Sequence, residues 1–234
     1  MKVFAATLLT FFSLVSLSTT SSITAKSIVS PPVATAPAPA SPVATAYDQL
    51  QLDQYGLNRD VFEYALRGMQ KMNPANPILS IVDLSQPSSS KRLYVIDIAN
   101  NRLLFNTYVS HGRNSGELHA RSFSNKNSSY QSSLGFYQTM GVYQGKHGLS
   151  LKLKGMEKGF NDNAYDRAIV VHGADYVCED FIRRTGRLGR SQGCPAVPNA
   201  LSKPIINAIK GGSCLFVYSP DKDYLSQSIY IARL

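Results

Sequence analysis

The chain has 234 residues and a formal charge of +9, from 24 Lys and Arg against 15 Asp and Glu. That balance suits an anionic wall or membrane surface. It argues against nucleic acid as a partner, because the cations are not gathered into one stripe and the chain begins like an exported protein.

Residues 1–25 open with Met1-Lys2, run apolar from Val3 to Leu17 and end in small polar residues at Thr24-Ala25. A charged start, a short apolar core and small residues near a cut site describe a secretory signal peptide. The apolar run falls short of the roughly 20 residues that a membrane helix needs. No stable span is therefore expected after cleavage, and the periplasm or cell envelope is the expected location. Residues 26–46 are rich in Pro, Ala, Ser and Thr without a large aromatic, the composition of an extended tether. Residues 47–234 are long enough for one domain with its own core.

Within that domain, Val61, Ala65, Leu66 and Met69 share one helical face over residues 57–72. Asn58 is a fitting cap, and Pro74 and Pro77 stop the helix. Strand patterns follow at 78–84 and 92–98, and Asn100-Asn101 turns the second into a third ending at Tyr108-Val109. Residues 111–133 are polar and aperiodic. A loop of that length inside a domain is usually functional or mobile, which makes it a candidate lid. Strands resume at 135–140, 142–144, 149–153 and 168–171. Helices are expected over 179–184 and over 199–210, the latter capped by Asn199, bent or delayed by Pro204 and stopped by Gly211-Gly212. A last strand covers 213–218. Eight strands, three helices and a preponderance of hairpins indicate a predominantly β, α+β domain rather than a doubly wound sheet.

The three cysteines are Cys178, Cys194 and Cys214. An odd number in an oxidising compartment leaves one thiol over, whether or not the other two pair. Strand 168–171 runs into His172-Gly173, and Gly189-Arg190-Ser191-Gln192-Gly193-Cys194-Pro195 follows 22 residues after the histidine. A strand holds a base rigidly, and a glycine-flanked turn exposes a thiol to a substrate backbone. The pair Cys194 and His172 therefore fits nucleophilic catalysis. The imidazole takes the thiol proton and returns it to a departing amine, while backbone N–H groups near Gly193 and Cys194 receive the oxyanion. Pro195 has no N–H to offer. The group that holds the histidine tautomer is a side chain or a main-chain carbonyl. Cys214, on an apolar strand, and Cys178, with no glycine turn, read as structural.

These residues resemble the signature of the L,D-transpeptidases, His-Gly followed by Ser-x-Gly-Cys. Ser133-Leu134-Gly135-Phe136-Tyr137 resembles that family's threonine-proline-x-glycine-x-aromatic element. The chain is more specifically similar to the murein L,D-transpeptidase catalytic-domain branch, through four segments. These are Ser110-His111-Gly112-Arg113-Asn114-Ser115-Gly116, Ser132-Ser133-Leu134-Gly135-Phe136-Tyr137, Gly189 through Ala196, and Gly211-Gly212-Ser213-Cys214-Leu215-Phe216. The resemblance covers Leu57 to Pro220. It implies a mixed β-sandwich or barrel that needs no cofactor and no metal. It also implies attack by Cys194 on the third residue of a peptidoglycan tetrapeptide stem, with loss of the terminal D-alanine and transfer of the acyl group to an amine. By the same resemblance His172 is the base, Gly193 and Cys194 give the oxyanion donors, and Ser191 shapes the turn. Gly173, Arg190, His111 and Tyr137 are candidate substrate contacts. One departure stands out: many relatives carry an arginine shortly after the cysteine, where this chain has Pro195-Ala196, so Arg190 or Arg187 is the candidate replacement.

Other readings remain beside this one. Water in place of the amine makes the same acyl-enzyme a carboxypeptidase or endopeptidase. A wall-binding module without catalysis is a second alternative. A zinc peptidase is a third, although four histidines with no HxxxH or HxH element are a poor ligand set. His119 and His147 read as polar loop or strand-end residues, and Tyr137, Tyr143 and Tyr165 are either cleft or core aromatics.

Overall fold

The computed structural model describes residues 42–231. The expected signal peptide, and the expected tether as far as residue 41, lie outside them. Among the described residues there are five short helices and eight strands, and all eight strands belong to one mixed sheet. The strands are β1 (Ile78–Asp83), β2 (Leu93–Asp97), β3 (Arg102–Thr107), β4 (Gly135–Gly145), β5 (Gly148–Gly155), β6 (Val170–Ala174), β7 (Ala196–Pro198) and β8 (Cys214–Tyr218). Their order across the sheet is β3-β2-β1-β8-β4-β5-β6-β7. Only β1–β8 and β6–β7 pair in parallel. The domain is thus predominantly β and of the α+β class, as expected. No described helix is long and apolar enough to cross a membrane.

Several elements differ from the sequence reading for local reasons. Helix α1 (Pro42–Gln49) begins inside the stretch read as tether. It is held by Tyr47, whose buried hydroxyl donates to Leu57 O and whose ring packs on Phe62. The expected strands at 135–140 and 142–144 are one strand, β4, whose register against β5 shifts between Thr139 and Val142 as a bulge does. The β7 strand is only three residues long, and α5 (Lys222–Gln227), capped by Asp221 on the Tyr224 amide, has only six. Neither is long enough to show a period. Helix α4 (Asn199–Ile209) has Pro198 at its cap, and Asn199 instead donates to Asp175.

Helix α2 (Arg59–Met72) starts at Asn58, whose side chain accepts from the Asp60 amide, and lays Phe62, Ala65, Leu66 and Met69 in the core. Gly68 faces the ring of Phe136, which β4 sends against the helix. A Cβ there would stand 2.0 Å from the Phe136 ring, which itself stacks on Phe216 at 4.2 Å. Alanine in place of a helical glycine ordinarily stabilises by about 1 kcal/mol. Here the ring has no room to retreat. Gly68→Ala is expected to destabilise by about 1–3 kcal/mol, the usual cost of overpacking, and urea denaturation checks the sign.

Candidate active site

Two chain segments build the site. β6 presents His172, and the turn before β7 presents Cys194. In the parallel pairing His172 faces Ala196. Continuing that register two residues back sets Cys194 beside Val170, and the Val170 amide does reach its sulfur at 3.5 Å. The turn carries the thiol of Cys194, and β6 carries the imidazole of His172. Both line one cleft of about 810 Å³. His172 stands in the middle of β6 rather than at a strand end, because pairing continues through Gly173 and Ala174.

The imidazole is almost wholly buried, and its Nδ1 lies 2.8 Å from Gly173 O. A carbonyl only accepts, so Nδ1 carries the proton and the Nε2 lone pair is the basic site. The group that sets the tautomer is therefore a main-chain carbonyl. Burial lowers the affinity of His172 for a second proton; Gly173 O opposes this, while His147 and Lys146 add to it. Burial likewise raises the Cys194 thiol, against the Val170 amide and the cations Arg167 and Lys146. Both shifts favour uncharged partners at rest. The thiol also donates to Ala168 O at 3.7 Å.

The turn is wired from within. Ser191 Oγ donates to Cys194 O at 2.6 Å and accepts from the Gly193 amide at 3.1 Å. The Gly193 N–H, one of two expected oxyanion donors, is thus occupied. The Cys194 N–H makes no hydrogen bond among the described residues. Gly193 has φ +123°, and a Cβ there would lie 2.8 Å from Gln131 O, so both conformation and space require glycine.

Loop 111–133 wraps this turn and is fastened to it, not free to act as a lid. Gly112 bridges Ser191, the Arg113 amide donates to Ser191 O, and the Ser191 amide donates to His111 O. Arg167 gathers the far limb of the loop, donating to Ser124 O, Ser129 Oγ, Gln131 O and Ser133 Oγ. Its position gave no signal in the sequence, since all four acceptors lie more than 30 residues away.

The candidate substrate contacts fall in different places. Arg190 lines the cleft and pairs with Glu117, as does Arg187. Gly173 does not line it: a Cβ there would strike Asn199 and Ser202, so this glycine admits α4 against β6. Tyr137 is buried, donates to Ser133 O and shares a small void with Gly193 and Pro195 beneath the turn. Tyr143 and Tyr165 are exposed rather than core, and Lys152 lies over both rings. All three cysteines are free; Cys214 is buried, and Cys178 touches Asp175 O. Among the described residues no three His, Cys, Asp or Glu side chains converge as metal ligands.

His111 is a strut beneath the loop, not a wall of the cleft. It is fully buried and accepts at Nδ1 from Arg92 Nη2 at 2.7 Å, so its proton is on Nε2, facing Gly116 O at 3.2 Å. Arg92 is fully buried too and spends its other donors on Val109 O and Gln86 O. Burial first, then Arg92, depresses His111 to about 4.

A thiol and an imidazole with a fixed tautomer thus line one cleft on a mixed sheet. Residues 53–218 match the L,D-transpeptidase catalytic domain family, and the chain belongs to that family. Three solved structures are similar at low identity. The L,D-transpeptidase from Mycobacterium smegmatis is 12% identical with a TM-score of 0.38, over 61% of this chain and 59% of that one. L,D-transpeptidase 3 from Mycobacterium tuberculosis is 14% identical with a TM-score of 0.38, over 62% of each chain. The helical cell shape determining protein Pgp2 from Campylobacter jejuni is 12% identical with a TM-score of 0.40, over 71% and 58%. The match thus spans less than two thirds of each of these relatives. No curated protein matches the chain.

The strut makes stability depend on pH. An unfolded histidine binds its proton below its ordinary 6.5, whereas folded His111 stays neutral down to about 4. The unfolded state therefore holds more protons in that window, and stability falls as pH drops from 6.5 toward 4. His111→Gln, which keeps an acceptor for Arg92, is expected to remove one proton's worth of that slope in denaturation curves taken across the window.

Proposed function

We propose that this protein is an exported L,D-transpeptidase that acts on peptidoglycan tetrapeptide stems through a thioester at Cys194. The observation that carries the reading is the Nδ1–H of His172 on Gly173 O, which leaves Nε2 as the proton acceptor in the cleft that Cys194 lines. The steps follow from that tautomer. Sγ attacks the carbonyl carbon of the third stem residue while its proton passes to Nε2. The oxyanion is received by the Cys194 amide. Collapse breaks the amide bond, and the terminal D-alanine leaves with the proton from Nε2. An amine of a second stem then attacks the thioester, gives its proton to Nε2 and releases the thiol. Water in the same role yields the carboxypeptidase reaction.

Charge in the cleft agrees with an anionic peptide. Lys146, Arg167 and Arg190 line it against one carboxylate, Asp166. Arg167 is committed to the loop and Arg190 is paired with Glu117, so Lys146 is the cation proposed to meet a stem carboxylate in place of the arginine that Pro195-Ala196 lacks. The proposed setting is the periplasm or cell envelope, reached through the signal peptide.

Cys194→Ala is expected to abolish turnover of tetrapeptide muropeptides, read by mass spectrometry as cross-linked dimers for transpeptidation or shortened stems for hydrolysis. Turnover that survives the substitution would refute the mechanism. Because burial keeps His172 below its ordinary 6.5, the acid limb of kcat/KM is expected below that value in a pH–rate profile.

A further inference from the structure

The proposed chemistry leaves one ring unused. His147 sits at the tip of the β4–β5 hairpin, which closes through the pair Gly145↔Gly148, with Gly148 at φ +77°. β5 is also the antiparallel neighbour of β6, with Ser150 opposite His172. The tip thus folds back over the strand beside its own. There the two imidazoles stack, with ring centroids 4.4 Å apart and planes 23° from parallel. His147 is itself exposed and lines the cleft. A solvent-facing hairpin tip contributes little to the core, so the stack is not explained by folding.

We propose that His147 is a positioning residue for His172. Its ring covers one face of the proposed base and holds the imidazole plane, leaving the two ring nitrogens for Gly173 O and for the thiol proton. The proposal rests on the reading of His172 as the base. Its physical content is twofold. A flat partner removes the freedom of the ring to rotate away from a productive approach, and small losses of alignment at a reacting centre are costly in rate. A second imidazole also disfavours charge on the first, since like charges at this separation repel. The other charged and titratable groups on the walls of the cleft are Lys146 and Tyr143 on the same hairpin, Tyr130 on the loop, Cys194 on the turn, Tyr176 after β6, and Asp166, Arg167 and Arg190. Of these, Lys146 acts on His172 in the same direction as His147.

Two substitutions in the full chain separate the effects. His147→Phe keeps a flat ring and removes its charge, whereas His147→Ala removes both. NMR titration of the His172 ring is expected to move upward in both variants. Turnover of tetrapeptide muropeptides at the wild-type optimum is expected to stay within about threefold for Phe and to fall by about tenfold or more for Ala. Melting temperatures are expected to match the wild type. An unmoved His172 titration in both variants overturns the proposal, and so does an Ala variant as fast as the wild type. The titration is read without turnover. Failure of the stack therefore shows there, whereas failure of the thiol mechanism shows as activity that survives Cys194→Ala.

Discussion

Three residue pairs, from His172↔Ala196 to Ala174↔Pro198, make up the parallel contact of β6 with β7, and the whole site hangs on that register. Side chains alternate along a strand, so a slip of one residue would change the side chain set beside His172 and displace the turn that leads into β7. So short an edge strand cannot hold its own alignment. The surrounding chain does it instead. The Ser110 amide donates to Ala196 O, His111 O and the Arg113 amide clasp Ser191 from either side, and Gly173 lets α4 lie directly against β6. The contact is thus braced from the loop on one side and from a helix on the other.

The electrostatics of the cleft follow from the same bracing. A sulfur held against the Val170 amide and an imidazole whose Nδ1–H is committed to Gly173 O are both withdrawn from water, which penalises thiolate and imidazolium alike. Both shifts favour the uncharged thiol and the uncharged imidazole. The nearby cations Arg167 and Lys146 ease the thiolate, and Lys146 and His147 oppose the imidazolium. The neighbourhood therefore favours charge on the thiol and disfavours it on the imidazole.

Much of this was legible in the sequence. Strands with β-branched runs, such as Ile78–Asp83 and Cys214–Tyr218, announced themselves, as did α2 with its Asn58 cap. That Cys194 and His172 line one cleft was foreshadowed by the glycines beside them, which are a local signal. The same signal misplaced His111: His-Gly after a strand looks alike whether the ring faces a cleft or a buried arginine, and only Arg92, 19 residues upstream, distinguishes them. Arg167 and His147 were invisible for a different reason. Their partners come from distant segments, brought near by strand order and hairpin closure rather than by spacing along the chain. The Gly193 amide was read as an oxyanion donor because nothing in Gly-Cys shows that Ser191 Oγ already occupies it.

The buried pairing of Arg92 with His111 carries a consequence for how this fold can diversify. Three edges of the guanidinium are spoken for by Val109 O, Gln86 O and the imidazole. An ammonium, with three donors radiating from a single point, cannot reproduce that planar fork. An apolar residue at either position would leave the facing nitrogen of its partner unpaired in the interior. Positions 92 and 111 are therefore expected to be exchanged together or not at all, a covariation that aligned relatives would display as a coupled pair far from the thiol.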